Sequence, residues 1–567
     1  MRILGINAIF HDPSAALVVD GRVVAAAEEE RFSRRKHGKR PVPFSAWETP
    51  DLVARWCLAE AGLEPGDLDA VAYSYDPRLV QPSPNGGPAG AAAPAERRPG
   101  AASGNGYDPA WEDLRTHYAR RAPRFLATAL PGLDPGVVRF VPHHLAHAAS
   151  AALAAPEPGR GDVLVLDGRG EAHSHLAGTY EDGGFTAFAA QRLPHSLGLM
   201  YEELTEHLGF LRSSDEYKVM ALASYGEPRF LDELREHVRA TADGGFTVAP
   251  IDWGALAKPR TPADGDRWTD EQADLAASVQ ARLEEVLLEL AFWTHGRSGA
   301  TRLTLAGGVA LNCVANSRLA QDGPYREIWV QPAAGDAGTA LGAALHLARE
   351  AGEPIEPMPG ADLGRRWSDD ELAAHLDTAR VPYERPADLA AAVAEALARD
   401  QIVAWFQGRS EFGPRALGHR SLLAHPGNPA NLERLNAVKG RERFRPIAPM
   451  VALRHAAEIF EGPLPSPYML FVHRVGPGWR DRIPAAVHVD GTSRVQTVDP
   501  GDEPLVTALL EAFRERTGLP VLINTSLNTA GRPMVDDPRD ALECFGSAPV
   551  DLLALGPYVV RRAEVFA

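Results

Sequence analysis

Residues 2–27, RILGINAIFHDPSAALVVDGRVVAAA, decide the fold class. Arg2–Asn7 is an apolar run, residues 8–13 are polar and turn-prone, and Ala15–Asp20 is apolar again. Asp20-Gly21 belongs to the dipeptides that tolerate positive φ at both centres of a two-residue hairpin, so Arg22–Ala27 returns as the paired strand. From about residue 137 the pattern changes to alternating strands and helices. Val137–Val141 reads as a strand, HHLAHAASAALAA as a helix, and Asp162–Leu166 as a buried strand ending at Asp167. Thr269 with Gln272 forms a capping box that opens an amphipathic helix running to about Thr294. Leu303–Leu305 and Ile328–Val330 are further strands, the second followed by a loop at Asp336 and a small-residue helix. Such alternation predicts an α/β fold.

With 567 residues the chain exceeds what one core organises, so two domains are expected. Residues 351–366, AGEPIEPMPGADLGRR, read as a linker between domains at 1–350 and 367–567. Ser368 with Glu371 caps the next helix, and Ile402–Phe406, Tyr468–Val472 and Val521–Ile523 are expected strands of the second domain. Residues 80–108, rich in Pro, Gly and Ala, read as a mobile surface insertion. No internal sequence repeat is found.

The charge balance weighs against one class of partner. There are 58 Lys plus Arg against 75 Asp plus Glu, a net charge of -17, which argues against a nucleic-acid footprint. The 3 cysteines follow no paired spacing, and no stretch is long and apolar enough for a membrane span, so a cytoplasmic enzyme is expected.

Four constellations carry chemistry. His143 and His147 are spaced i, i+4 and share a helix face, as a metal pair would. Asp167 and Asp336 follow strands, where ligands bind in α/β sheets. Together they form a nitrogen–oxygen set suited to iron, manganese or zinc, or else a capped helix and two turn aspartates. The second constellation is LAGGVALN, 305–312, whose Gly307-Gly308 allows close approach of a phosphate to backbone amides, or is a tight turn; Lys218 could place a charge on the same phosphate. The third is basic: Arg409, Arg415, His419 and Arg420, then Lys439, Arg441, Arg443 and Arg445, then Arg494. Interleaved with Gly, Pro, Leu and Phe, these suit an anion pocket better than a solvated face. Asn524, Ser526 and Asn528 alternate along LINTSLN and face one way. Fourth, His11-Asp12 lies in the loop between the first two strands, where His11 could serve as a general base or as a turn residue. The run EEERFSRRKHGKR after the third strand reads as a solvated turn.

Taken together, HDPSAALVVDG, AEEERFSRRKHG, HHLAHAASA, LDGRGE, SLGLMYE, LAGGVALN, GDAGTALGAA, GPRALGHRSLL, RPIAPM and INTSLN, in this order, resemble the O-carbamoyltransferases of the NodU/CmcH type, including TobZ-like antibiotic-tailoring enzymes. The resemblance covers nearly the whole chain; residues about 75–135 match no known motif. It implies an N-terminal actin/hexokinase-like (ASKHA) domain, similar to the threonylcarbamoyl-transfer subunit of tRNA modification, and a C-terminal YrdC-like domain that forms carbamoyl-adenylate. It implies carbamoyl phosphate, ATP with Mg2+ and a small-molecule hydroxyl as substrates, with Fe2+ or another divalent metal on His143, His147, Asp167 and Asp336. By the same likeness Arg415, Arg420, Lys439, Arg441, Arg445, Arg494, Asn524 and Ser526 would hold the anions. Lys439 and Arg441 would act in adenylation. Gly307, Gly308, Asn312 and Lys218 would seat the adenylate, His11 would take the hydroxyl proton, and the intermediate would travel through an internal channel. A homodimer is compatible with this reading. The rival is a fused threonylcarbamoyladenosine-type tRNA-modifying enzyme, which the net charge disfavours.

Overall fold

The computed structural model describes residues 1–38, 49–80, 109–157 and 159–566; the expected insertion at 80–108 lies, Val80 apart, outside the described residues. The opening strands are β1 (Arg2–Asn7), β2 (Ser14–Val19) and β3 (Arg22–Glu28), an antiparallel meander extended in parallel by β4 (Ala70–Tyr73) and β5 (Val138–Phe140) in the order β3-β2-β1-β4-β5. Its hairpin turns at Asp20 and Gly21, both at positive φ (50° and 77°), as the dipeptide requires.

The same order then recurs. β6 (Gly161–Leu166), β7 (His173–Glu181) and β8 (Gly184–Arg192) form a second antiparallel meander. After a two-stranded hairpin, β9 (Val238–Ala240) with β10 (Phe246–Val248), the strands β11 (Arg302–Ala306) and β12 (Glu327–Val330) join β6 in parallel, giving β12-β11-β6-β7-β8. The chain thus carries a topological repeat that its sequence does not disclose. Backbone pairing repeats, while the side chains are fitted to different surroundings.

The long helix Asp270–Ser298 begins at the Thr269 capping box, with Gln272 Oε1 accepting from the Thr269 amide at 3.0 Å. Helix Ala337–Glu350 is built of small residues because it is packed hard on two sides. It lies on β1, β2 and β4, and a Cβ at Gly342 would come within 1.8 Å of the Ala146 carbonyl oxygen on helix His143–Ala152. This packing sets Asp336, at the head of one helix, beside the histidines of the other.

The C-terminal part holds a seven-stranded mixed sheet, built from β13 (Val403–Phe406), β14 (Arg420–Ala424) and β15 (Ala448–Ala452) with later strands. A small sheet of β16 (Phe460–Glu461), β17 (His473–Val475) and β18 (Thr492–Ser493) intervenes, and β19 (Gln496–Val498), β20 (Val521–Ser526), β21 (Leu552–Leu555) and β22 (Tyr558–Arg561) complete the order β19-β15-β20-β14-β13-β21-β22. The strand expected at Tyr468–Val472 does not form. Its backbone is bonded sideways to helix Cys313–Asp322: Asn316 Nδ2 donates to Leu470 O at 3.1 Å, and the Val472 amide donates to Ser317 Oγ at 2.7 Å. Met469 there has φ 55°, which no strand accommodates.

Residues 351–366 are irregular but packed, with Met358, Ala361 and Leu363 buried. The guanidinium of Arg365 lies 4.9 Å from the Phe32 ring centroid and 4.6 Å from that of Trp367. The segment read as a solvated turn, EEERFSRR, is instead a seam between the N-terminal sheets and the C-terminal one. Arg31 is 3% exposed, donates to Gly413 O at 2.8 Å and lies 3.5 and 3.3 Å from Glu28 and Glu30. Arg34 pairs with Asp540 at 2.9 Å and donates to Met534 O at 2.7 Å.

Candidate active site

His143 and His147 open their helix directly after Pro142, on the face turned to the ends of β6 and β12, and both are fully buried. His143 Nε2 is 3.5 Å from Asp167 Oδ2 and 3.5 Å from Asp336 Oδ1; His147 Nε2 is 4.0 and 3.6 Å from the same two atoms. His143 Nε2 and both ring nitrogens of His147 are buried with no hydrogen-bond partner among the described residues. Two nitrogens and two carboxylate oxygens at these separations match the edges, about 3.4 Å, of a tetrahedron with ~2.1 Å bonds. Orphaned buried imidazoles facing ionised carboxylates fit a divalent cation and fit little else.

The carboxylates are aimed by backbone amides. Asp167 turns Oδ2 to the histidines and accepts the Gly308 amide on Oδ1 at 2.9 Å; Asp336 turns Oδ1 inward and accepts the His11 amide on Oδ2 at 3.0 Å. Burial works against their charges, yet the neighbouring imidazoles hold both carboxyls below the ordinary range. His143 is fixed by its Nδ1, 3.1 Å from Ser74 O, and by its amide, which donates to Glu171 Oε1 at 2.8 Å. Glu171 and Ser74 complete the second layer of the cluster, a role sequence reading missed. Glu171 stood in LDGRGE, four residues after Asp167, but nothing in the spacing marks it.

Gly307 has φ 92°, and a Cβ there would lie 2.2 Å from Leu166 O, so only glycine lets the loop cross β6 and deliver the Gly308 amide. Asn312 ends the same loop. Its Oδ1 accepts the Ala315 amide at 3.1 Å as a helix cap, and its Nδ2 donates to Gln280 Oε1 at 2.9 Å. Lys218 is engaged by two carboxylates, Asp215 at 2.9 Å and Glu442 at 2.7 Å, the second across the seam.

The basic cluster collects beside this loop. Arg415 reaches Leu311 O at 3.5 Å, and Arg445 stacks 4.5 Å from the Tyr217 ring centroid. Arg415 Nε, Arg441 Nη2 and Arg494 Nε are buried without a partner among the described residues. Burial first, then the neighbouring arginines, pull Arg415 and Arg441 down to about 9 and Lys439 well below its usual range. Cations crowded this way lack a counter-charge, which a bound anion would supply. Lys439 Nζ is held by Ser526 O at 2.5 Å, Ser526 Oγ at 2.8 Å and Asn528 Oδ1.

Two members of the expected set lie apart. Arg420 is wholly buried, stacked 3.7 Å over Phe406, and donates to the carbonyls of Gln407, Gly408 and Arg365 at 2.5–3.3 Å. It braces the sheet and does not face the cluster. Asn524 turns its amide to Ala416 O at 3.1 Å and Gln496 Oε1 at 2.7 Å. β20 also ends at Ser526, so Asn528 reaches Lys439 from the turn after it.

Between the two groups lies a cavity of about 120 Å3, lined by Asp12 and His37 on one side, Gly335 and Ala337 beside Asp336, and Ser526 and Asn528 on the other. His11 adjoins this lining through Asp12, its Nδ1 2.9 Å from Asp12 Oδ2.

Comparison with known proteins identifies the class. Residues 2–345 match the family described as Carbamoyltransferase N-terminus and residues 394–562 that described as Carbamoyltransferase C-terminus. The chain belongs to the carbamoyltransferase family and is a carbamoyltransferase. It is 37% identical to Nodulation protein NolNO of Sinorhizobium fredii, over 98% of this chain and 80% of that one. It is 31% identical to Nodulation protein U of Rhizobium tropici, over 96% and 93%. Among solved structures, component A of (R)-2-hydroxyglutaryl-CoA dehydratase from Acidaminococcus fermentans aligns at 14% identity and TM-score 0.34, covering 62% of this chain and 99% of that one.

Proposed function

We propose that this carbamoyltransferase is ATP-dependent, uses carbamoyl phosphate, and modifies a hydroxyl of a small-molecule natural product. In this reading residues 1–350 form an actin/hexokinase-type transfer domain, whose hallmark would be the repeated five-strand topology, and residues 367–567 a YrdC-like adenylating domain. Carbamoyl phosphate is hydrolysed to carbamate and phosphate at Lys439, Arg441, Arg445, Arg494 and Ser526. A carbamate oxygen then attacks the α-phosphorus of Mg2+-ATP, giving carbamoyl-adenylate and pyrophosphate. The mixed anhydride would hydrolyse in bulk water, and an interior route for it would pass the cavity lined by Ser526 and His37. His143, His147, Asp167 and Asp336 would hold a divalent cation, iron(II) by family likeness, which would supply Lewis-acid polarisation of the carbamoyl carbonyl. The glycine loop at 307–308 seats the adenylate, and Arg415 neutralises its phosphate from across the seam. The acceptor hydroxyl attacks the carbonyl carbon, AMP leaves, and His11 takes the hydroxyl proton.

The observation that carries this reading is the set of buried, partnerless guanidinium atoms on Arg415, Arg441 and Arg494, which a bound phosphate would satisfy. The test is pyrophosphate and AMP release from ATP in the presence of carbamoyl phosphate, in the wild type and in Lys439→Ala. Release that needs carbamoyl phosphate and falls at least ~100-fold in the variant supports adenylation at this cluster. Release driven instead by bicarbonate and threonine would overturn it in favour of threonylcarbamoyl chemistry.

A further inference from the structure

The loop that carries His11 and the short turn at Lys36–Gly38 come together in an arrangement the transfer reaction has not yet used. Asp12 lies between two imidazoles: its Oδ2 is 2.9 Å from His11 Nδ1 and its Oδ1 is 2.9 Å from His37 Nδ1. The two rings lie 4.2 Å apart between centroids. His37 is held by its amide and by both ring nitrogens. Its amide donates to Glu30 Oε2 at 2.8 Å, and its Nε2 meets Ser214 Oγ, from the second meander's half of the N-terminal part, at 2.8 Å. Its backbone is in the left-handed region, φ 60°, where a β-carbon is disfavoured.

An ionised carboxylate accepts hydrogen bonds and donates none. Burial opposes ionisation of Asp12, but the flanking histidines hold its carboxyl well below the ordinary range. Both Nδ1 atoms are therefore the donors. For a neutral His11 this leaves the lone pair on Nε2, the nitrogen a general base needs. One carboxylate oxygen cannot by itself fix the plane of the group, because rotation about χ2 is soft. The second bond, from His37, locks that plane, and Ser214 locks His37.

We infer that His37 is a positioning residue for carbamoyl transfer, holding Asp12 so that His11 stays in the Nδ1–H form with Nε2 as its basic nitrogen. The inference deepens the reading of His11 as base and rests on it. His37 also lines the cavity together with Ser526 and Asn528, so the same side chain faces the incoming intermediate and the base that acts on its acceptor.

The experiment is NMR of the full chain labelled with 15N-histidine, the His11 signals being assigned by their loss in His11→Asn. Two substitutions separate positioning from bulk. In His37→Asn the amide nitrogen occupies the place of Nδ1 and still donates to Asp12, and Asn tolerates left-handed backbone. In His37→Gln the amide occupies the place of Nε2, and the Asp12 bond is lost. The wild type and His37→Asn should show His11 with a protonated Nδ1 and an unprotonated Nε2. His37→Gln should move the His11 nitrogens to averaged or reversed shifts, and Ser214→Ala should do so to a lesser degree, with melting temperatures within a few degrees of wild type. A His11 tautomer unchanged in His37→Gln, or altered equally in His37→Asn, would overturn the inference. A His11→Asn enzyme that still carbamoylates its acceptor would end the base reading while leaving the tautomer result standing, so the two fail separately.

Discussion

Replacing Arg31 by leucine tests how the N-terminal sheets are fastened to the C-terminal one. The side chain is 3% exposed and carries a hydrogen bond to Gly413 O at 2.8 Å as well as two ion pairs, at 3.5 Å to Glu28 and 3.3 Å to Glu30. Leucine fills most of the volume and removes all three, leaving Glu28 buried without its cation, while Glu30 keeps Lys36 at 3.4 Å and the His37 amide at 2.8 Å. Breaking a buried pair by deleting one partner costs about 3–5 kcal/mol. At ~0.8 °C per kcal/mol for a chain of this size, the unfolding midpoint should fall by roughly 2–4 °C. The loss should also depend on pH. Burial already pushes Glu28 up to about 7, and Arg31 is the charge that opposes this. Without Arg31 the folded pKa rises further, so stability is lost as pH climbs past 7, and the deficit is larger at pH 8 than at pH 6. Differential scanning calorimetry at both values reads it. In Arg31→Leu/Glu28→Gln/Glu30→Gln, where no buried charge is stranded, much of the loss should return. A single variant that costs under ~1 kcal/mol, or a triple that recovers nothing, would refute the reasoning, because the carboxylates would then be satisfied some other way.

His419 gives a second pH signature. Burial opposes its charge, but Glu503, 2.8 Å from Nε2, and Glu411 outweigh that and push its pKa up to about 8. A raised folded pKa gives stability that is complete below about 6.5 and is lost as pH rises through 8, worth about 2 kcal/mol. Denaturant unfolding of wild type minus His419→Gln should show that step, and a flat difference would remove the imidazolium from the account. For the metal cluster, titration calorimetry of chelator-treated protein should give one divalent site per chain, weakened at least ~10-fold in His147→Ala. Chelation of metal supplied at a hundredfold excess over its Kd should cost about 3 kcal/mol of stability. Melting unchanged by chelation, with no binding isotherm, would leave the four residues as an ion-pair network.

Much of this architecture was legible because certain residues permit few alternatives. Asp20-Gly21, the Thr269 and Ser368 capping boxes and the HHLAH helix all appear where local chemistry put them. The four metal candidates converge because strand ends and helix starts in α/β sheets point to one crevice. What stayed hidden depends on distant partners. Arg31 reads as solvated until Gly413, almost four hundred residues on, is placed against it. Tyr468–Val472 has strand composition, but helix Cys313–Asp322 takes the Leu470 carbonyl and the Val472 amide. Arg420 sits in the same basic run as Arg415, yet it opens β14 while Arg415 precedes the strand, and the carbonyls of Gln407, Gly408 and Arg365 take its guanidinium. Asp12 and His37 are twenty-five residues apart and gave no spacing signal at all.

The helix Ala337–Glu350 has a consequence for how the molecule is made. It covers β1, β2 and β4, the first strands to be synthesised, but it is encoded after both meanders are complete. While the chain emerges from the ribosome, one face of the first sheet stays bare for more than two hundred and fifty residues, with His143 and His147 waiting beside it. At 5–20 residues per second, a span of ~250 residues means roughly 13–50 s without a cover. A nascent fragment ending near residue 300 is thus an open sandwich with a missing layer. Vectorial folding of this protein cannot finish its first sheet before its second, and the two repeats mature together or not at all.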